Sequence, residues 1–146
     1  MQFSRKYFCS LFPTGIFEQQ AERLDTPVAF HGFLEKTQVN KHLAESHALI
    51  LPSKSEGFPK VIGEAMNYGC VPLVTDISCM KDYITHNQNG ILIKNQTKSE
   101  VVKAFENLLN FNSTDFKNAI EYNSEVAKKF TYSYYNKMLK EKIVNV

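Results

Sequence analysis

HALILPSKSEGFPKVIGEAMNYGCVPLV, His47 to Val74, holds a strand, a loop, a helix and a second strand in 28 residues. HALILP is a continuous apolar run, the pattern of a strand covered on both faces. SKSEGFP carries the loop. Pro59 suits the first turn of a helix, where its missing N–H costs nothing, and the helix is predicted from about Pro59 to Tyr68. Gly69 suits the residue just past its end. VPLV is again a buried-type strand. Two buried strands joined by a helix make a parallel pair with a crossover.

The same alternation runs outward in both directions. YFCSLF, Tyr7 to Phe12, reads as a strand closed by PTG, and IFEQQAERL as a helix with Ile16, Phe17 and Leu24 on its apolar side. VAFHGF reads as another strand. TQVNKHLAES follows as a helix with Thr37 as N-cap. Downstream come a short helix at KDYI, a turn at NG, a strand at ILI, and a helix opened by a Thr97-x-x-Glu100 capping box. Its predicted apolar stripe is Val101, Val102, Phe105, Leu108 and Leu109. The tail, 113–146, reads as all-helical with a break near Thr131. The expected fold is α/β, a Rossmann-like parallel sheet with helices on both faces and a helical C-terminal tail. Residues 1–146 make one domain.

Composition narrows the function classes. The chain has 146 residues, 43% hydrophobic and 22% charged, a globular balance. A net charge of +2 gives no footprint for nucleic acid. Cys9, Cys70 and Cys79 are odd in number and form no CxxC pair, which argues against a disulfide framework or zinc site and fits a reducing cytoplasm. The four histidines show no ligand spacing, so no metal is expected. No apolar run reaches the roughly 18 residues of a membrane span. The opening MQFSRKYFCSLFPTGIF has basic residues before an apolar patch, but Pro13 and Gly15 interrupt it and no cleavage site follows.

In parallel α/β sheets ligands bind beyond the carboxyl ends of the strands, where SKSEGFPK falls. Gly57 lets a ligand approach the backbone. Pro59 offers no donor, so Gly57, Phe58, Lys60 and Val61 supply the free N–H groups of the helix start, an anion site suited to a diphosphate. Glu56 beside it would repel phosphate but accepts hydrogen bonds from sugar hydroxyls. Glu64, about 8 Å further along the helix axis, could hold the vicinal hydroxyls of a ribose. The plain alternative makes Glu56 a partner of the helix dipole and Glu64 one polar residue on an exposed face.

EGFPKVIGEAMNYGCVPLV closely resembles the E-x7-E segment of retaining, nucleotide-sugar-dependent glycosyltransferases of the GT-B class, in the family called glycosyl transferases group 1. VAFHGFL, HALILPSKSEGF and NGILI resemble other segments of that family in the same order, from about Phe12 to Leu109. The resemblance implies that Glu56 bonds the transferred sugar and acts as the catalytic carboxylate. It implies that the backbone of Gly57, Phe58 and Lys60 meets sugar and diphosphate, that Glu64 holds the ribose, and that the loop Gly32, Phe33 and Leu34 flanks the nucleobase. No cofactor or metal is implied, the nucleotide-sugar being the substrate and basic groups neutralising the leaving diphosphate.

The chain departs from that pattern in two places. No basic G-R segment precedes YFCSLF, and Ser78, Cys79 and Asp82 stand where a Gly-Gly pair and a Glu are usual. The resemblance covers only a donor-binding half. The chain is therefore expected to be N-terminally incomplete, to need an acceptor-binding domain or a separate chain that supplies it, and to transfer sugar poorly alone. Phe130, Tyr134, Tyr135, Met138 and Ile143 are expected to form an apolar face that the acceptor-binding domain normally covers and that, left exposed, favours association, a homo-oligomer included. The expected location is cytoplasmic or peripheral to a membrane, in polysaccharide or lipid-linked glycan assembly. Alternatives are an inert nucleotide-sugar binding module, a GT-B-like sugar-nucleotide epimerase, and a flavodoxin-like scaffold that binds no nucleotide diphosphate.

Overall fold

The computed structural model describes residues 7–9, 29, 31–57 and 60–144. Among the described residues its sheet has four parallel strands in the order of the chain: β1 (Tyr7–Cys9), β2 (Ala48–Leu51), β3 (Val71–Thr75) and β4 (Ile91–Ile93). The helices are α1 (Lys36–Glu45), α2 (Lys60–Asn67), α3 (Lys98–Leu109), α4 (Ser113–Ala127) and α5 (Tyr132–Leu139). Short 3₁₀ turns at Met80–Asp82 and Lys128–Phe130 and a π-helical end at Lys140–Val144 complete the described elements.

Strand alternation divides the core in two. Leu49, Leu51 and Val74 face Leu43 of α1, Ile62, Ala65 and Met66 of α2, and Val126 and Ala127 of α4. Ala48, Val71, Leu73, Ile91 and Ile93 face Ala104 and Leu108 of α3 and Phe116 and Ala119 of α4. Successive side chains of a strand point to opposite faces, so an unbroken apolar run requires cover on both sides. The Rossmann-like class read from HALILP and VPLV is what the sheet shows, and the chain ends in helices as expected.

The helix boundaries have local causes. The N-cap of α1 is not Thr37 but Glu35, two residues earlier, and Gln38 Oε1 accepts from the Glu35 N–H at 2.9 Å. α2 ends in a Schellman motif around Gly69, whose φ is +81°. The Cys70 N–H donates to the Ala65 carbonyl at 2.8 Å and the Gly69 N–H to that of Met66 at 3.1 Å. Gly69→Ala should cost about 1 kcal/mol, because only glycine enters this region without a Cβ clash; urea unfolding measures it. At α3, Thr97 caps the Glu100 N–H, but the Glu100 carboxylate turns to Lys103 at 3.1 Å.

Several sequence expectations need correction. Of the predicted VAFHGF strand, Val28 and Phe30 lie outside the described residues, and Ala29 and residues 31–33 are not in a strand. Gly32, at φ +63°, turns the chain out of an extended path there. Residues 10–12 of YFCSLF and the IFEQQAERL helix also lie outside the described residues. The inner face of α3 is Val101, Ala104, Phe105 and Leu108, while Val102 and Leu109 are 45% and 47% exposed. The 3.6-residue period places those two beyond the edge of the stripe.

The tail does break at Thr131, which caps α5 by accepting from the Tyr134 N–H. Its apolar face is only partly as expected. Tyr134, Tyr135 and Ile143 are exposed. Met138 is half-buried, and Phe130 packs into the first core cluster with its ring 4.8 Å from that of Tyr83. Gly63 makes room for it: a Cβ there would stand 2.5 Å from the Phe130 ring.

Candidate functional site

The loop after β2 and the start of α2 stand at the carboxyl edge of the sheet. α2 buries Ile62, Gly63, Ala65 and Met66 and leaves Lys60, Glu64 and Asn67 on its outer side, a spacing of about one helical turn each. Lys60 is the first residue of the helix and is exposed; Val61 is half-buried against the core. Glu56 is half-buried in the loop. Gly57 is exposed, and no atom lies within 4 Å of where a Cβ would stand, so the loop backbone is open to an approaching ligand. Phe58 lies outside the described residues, as does Pro59.

Glu64 does not stand alone. Its Oε1 forms an ion pair with Lys36 Nζ, the first residue of α1, and its side chain keeps 34% of its surface exposed. Lys36 is separated from Gly32, Phe33 and Leu34 by Glu35 alone. Gly32 and Phe33 are exposed, Phe33 at 89%, and Leu34 is half-buried. The His31 ring lies 4.4 Å from that of His42 on α1. The ion pair thus links Glu64 to Lys36, which stands two residues after the Gly32–Leu34 stretch. An ionised carboxylate has about four acceptor positions, so the Lys36 contact leaves Glu64 free to accept hydroxyl protons. Lys36 adds a positive charge beside the helix start.

Spacing arguments miss Lys36, because its partner is 28 residues away. They also miss the loop after β3. Ser78 has a φ of +52°, a conformation glycine adopts freely, whereas Cys79 has an ordinary φ of −88°. Of the two positions where the resemblance led one to expect glycine, only the first demands glycine-like backbone. Ser78 Oγ donates to the Gly57 carbonyl at 3.2 Å and ties this loop to the one that follows β2. Asp82 is exposed in the 3₁₀ turn, and its neighbour Lys81 pairs with Asp76 at 3.0 Å.

Cys70 closes the far end of α2. It is fully buried, its Sγ lies 3.1 Å from the Leu43 carbonyl, and burial pushes its thiol up from 9.0 to about 11. The unfolded thiol ionises first as pH rises, so its contribution to stability is complete below pH 9 and is lost between 9 and 11. A thiol reagent at pH 8 should therefore modify half-buried Cys79 and spare Cys70 in the folded chain, as peptide mapping after labelling will show. Among the described residues, no three His, Cys, Asp or Glu side chains gather as a metal site, and no helix is long and apolar enough to cross a membrane.

A parallel sheet with helices on both faces and an open loop at its carboxyl edge defines an α/β domain of the kind whose ligands bind at that edge. The chain belongs to the glycosyl transferases group 1 family, whose model matches residues 17–126. It is 31% identical over 93 residues to an uncharacterized glycosyltransferase of Haemophilus influenzae, covering 62% of this chain and 26% of that protein. It is 23% identical over 79 residues to an uncharacterized 41.2 kDa protein in the cps region of Klebsiella pneumoniae, covering 54% of this chain and 22% of the other. Its fold is similar to crystal structures of Anabaena HepE. The complex with UDP-glucose superposes with a TM-score of 0.74 at 20% identity, over 90% of this chain and 36% of that one. The complex with UDP and glucose superposes with a TM-score of 0.73 over the same shares. The chain thus spans about a quarter of the curated relatives and about a third of the solved ones.

Proposed function

We propose that this chain is the donor-binding domain of a retaining GT-B hexosyltransferase and binds a nucleotide-diphospho-sugar through its E-x7-E segment, Glu56 to Glu64. The ion pair between Glu64 and Lys36, two residues after the Gly32–Leu34 stretch, carries this reading. A base held against the loop would place its ribose hydroxyls near the free acceptor positions of Glu64. The diphosphate would then lie over the first turn of α2, where the N–H groups of Lys60 and Val61 and the helix dipole favour an anion. The transferred sugar would reach Glu56 and the open backbone of Gly57. No metal is required, since the helix start and Lys60 oppose the leaving charge.

Transfer itself needs an acceptor site, which we assign to a further domain or a separate chain, as the coverage of the relatives suggests. The setting proposed is cytoplasmic glycan assembly. The first probe is UDP-glucose, because similar structures bind it. Calorimetry with UDP-glucose, UDP, ADP-glucose and GDP-mannose should give saturable binding by at least one, with little or no hydrolysis or transfer by this chain alone. Absence of binding by all four overturns the assignment. Binding without transfer, even after the acceptor domain is supplied, favours the inert module; conversion of the sugar without an acceptor favours the epimerase.

A further inference from the structure

Ser78 joins the loop after β3 to the loop that carries Glu56 and Gly57. It does so from a backbone angle of +52°, which side-chain-bearing residues adopt only at a cost. It is exposed, so burial does not explain the choice of side chain. What the hydroxyl gains is a bond of 3.2 Å to the Gly57 carbonyl, 21 residues away in sequence. On the Gly57 side there is no side chain to steady the loop, and the space around its Cα is open.

We propose that Ser78 is a positioning residue for the donor: its hydroxyl anchors the Gly57 carbonyl and so sets the direction of the loop peptide that faces the nucleotide-sugar. A peptide group is planar, so fixing the Gly57 oxygen fixes the plane of the peptide to which that carbonyl belongs. Without the anchor the Gly57 peptide is free to rotate, because glycine tolerates both signs of φ. Binding would then have to order the loop each time, and that cost appears as weaker affinity. Ser78 touches the donor only through Gly57 and takes no part in chemistry.

The inference rests on the donor site proposed above, and the experiment separates the two. Donor affinity and thermal unfolding are measured together for the wild-type chain, Ser78→Gly and Ser78→Ala, with UDP-glucose or whichever of the four nucleotide-sugar probes the wild type binds. Ser78→Gly relieves the backbone angle and removes the hydroxyl. It should melt at the same temperature or higher yet bind the donor about fivefold more weakly, the scale of one lost hydrogen bond. Ser78→Ala keeps the angle, loses the bond, and should weaken binding to the same extent. A purely structural Ser78 would instead move melting and affinity in the same direction. Wild-type binding with unchanged affinity in both variants overturns the positioning role and leaves the donor site standing. Failure of the wild type to bind any probe overturns the site and this inference with it.

Discussion

Asn89→Ala should lower the stability of this chain by about 3–4 kcal/mol, and its melting temperature by about 10 °C. Asn89 is fully buried between the 3₁₀ turn and β4. Its Oδ1 accepts from the Thr85 N–H at 2.7 Å. Its Nδ2 donates to the Tyr83 carbonyl and to Asn123 Oδ1 of α4, both at 2.9 Å. Asn123, also fully buried, returns a bond from Nδ2 to the Asn89 carbonyl at 2.9 Å. Alanine would leave the partners of this network unpaired in a region of low dielectric, where each orphaned group costs about 1–3 kcal/mol. Asn123→Ala should cost less, because the local turn bonds survive, and the double variant should fall short of the sum, since both deletions break the same bond. Urea unfolding of the three variants checks this. A loss below about 1 kcal/mol for Asn89→Ala would mean that water replaces the network. The neighbouring Gly90 belongs to the same construction: a Cβ there would stand 2.7 Å from the Pro72 carbonyl oxygen, which forbids any larger residue in the NG pair.

Glu64→Ala has the largest expected effect on ligand binding. On the proposed assignment it removes charge-assisted hydrogen bonds to the ribose, worth about 1.5–3 kcal/mol together, so donor affinity should fall roughly 10- to 100-fold. Stability should hardly change. The pair with Lys36 is at the surface, with Lys36 64% exposed, and such pairs contribute about 0–1 kcal/mol. Glu64→Gln keeps one acceptor oxygen and should lie between wild type and alanine. Calorimetric titration beside a thermal melt separates the two quantities. Equal affinity for wild type and Glu64→Ala would remove Glu64 from the site and return it to the exposed-face alternative.

Much of the fold is legible in short stretches because its causes are local. HALILP and VPLV are apolar without alternation, so each face of each strand had to be covered. Gly69 ends α2 because a Schellman turn needs a residue at positive φ. Thr97 and Thr131 cap helices at the points where a hydroxyl precedes a periodic segment. Where two local signals competed, the sequence misled. Thr37 is a better cap by type than Glu35, yet Gln38 reaches back to the earlier residue and fixes the start of α1 there. Val102 and Leu109 are as apolar as their neighbours, but at the 3.6-residue period they fall beyond the edge of the face that α3 turns to the sheet. Phe130 looked like part of an exposed face until the gap at Gly63 took it in.

The sequence by itself determined a parallel α/β sheet, its family, and a loop-and-helix element bracketed by two glutamates, since each is written in contiguous residues. Tertiary structure alone decided what those residues meet: that Lys36 pairs with Glu64, that Ser78 holds Gly57, and that Asn89 and Asn123 share a buried network. These pairs are separated by 28, 21 and 34 residues. Contacts over such distances depend on how helices and loops dock on the sheet, and neither local propensity nor periodicity carries that information.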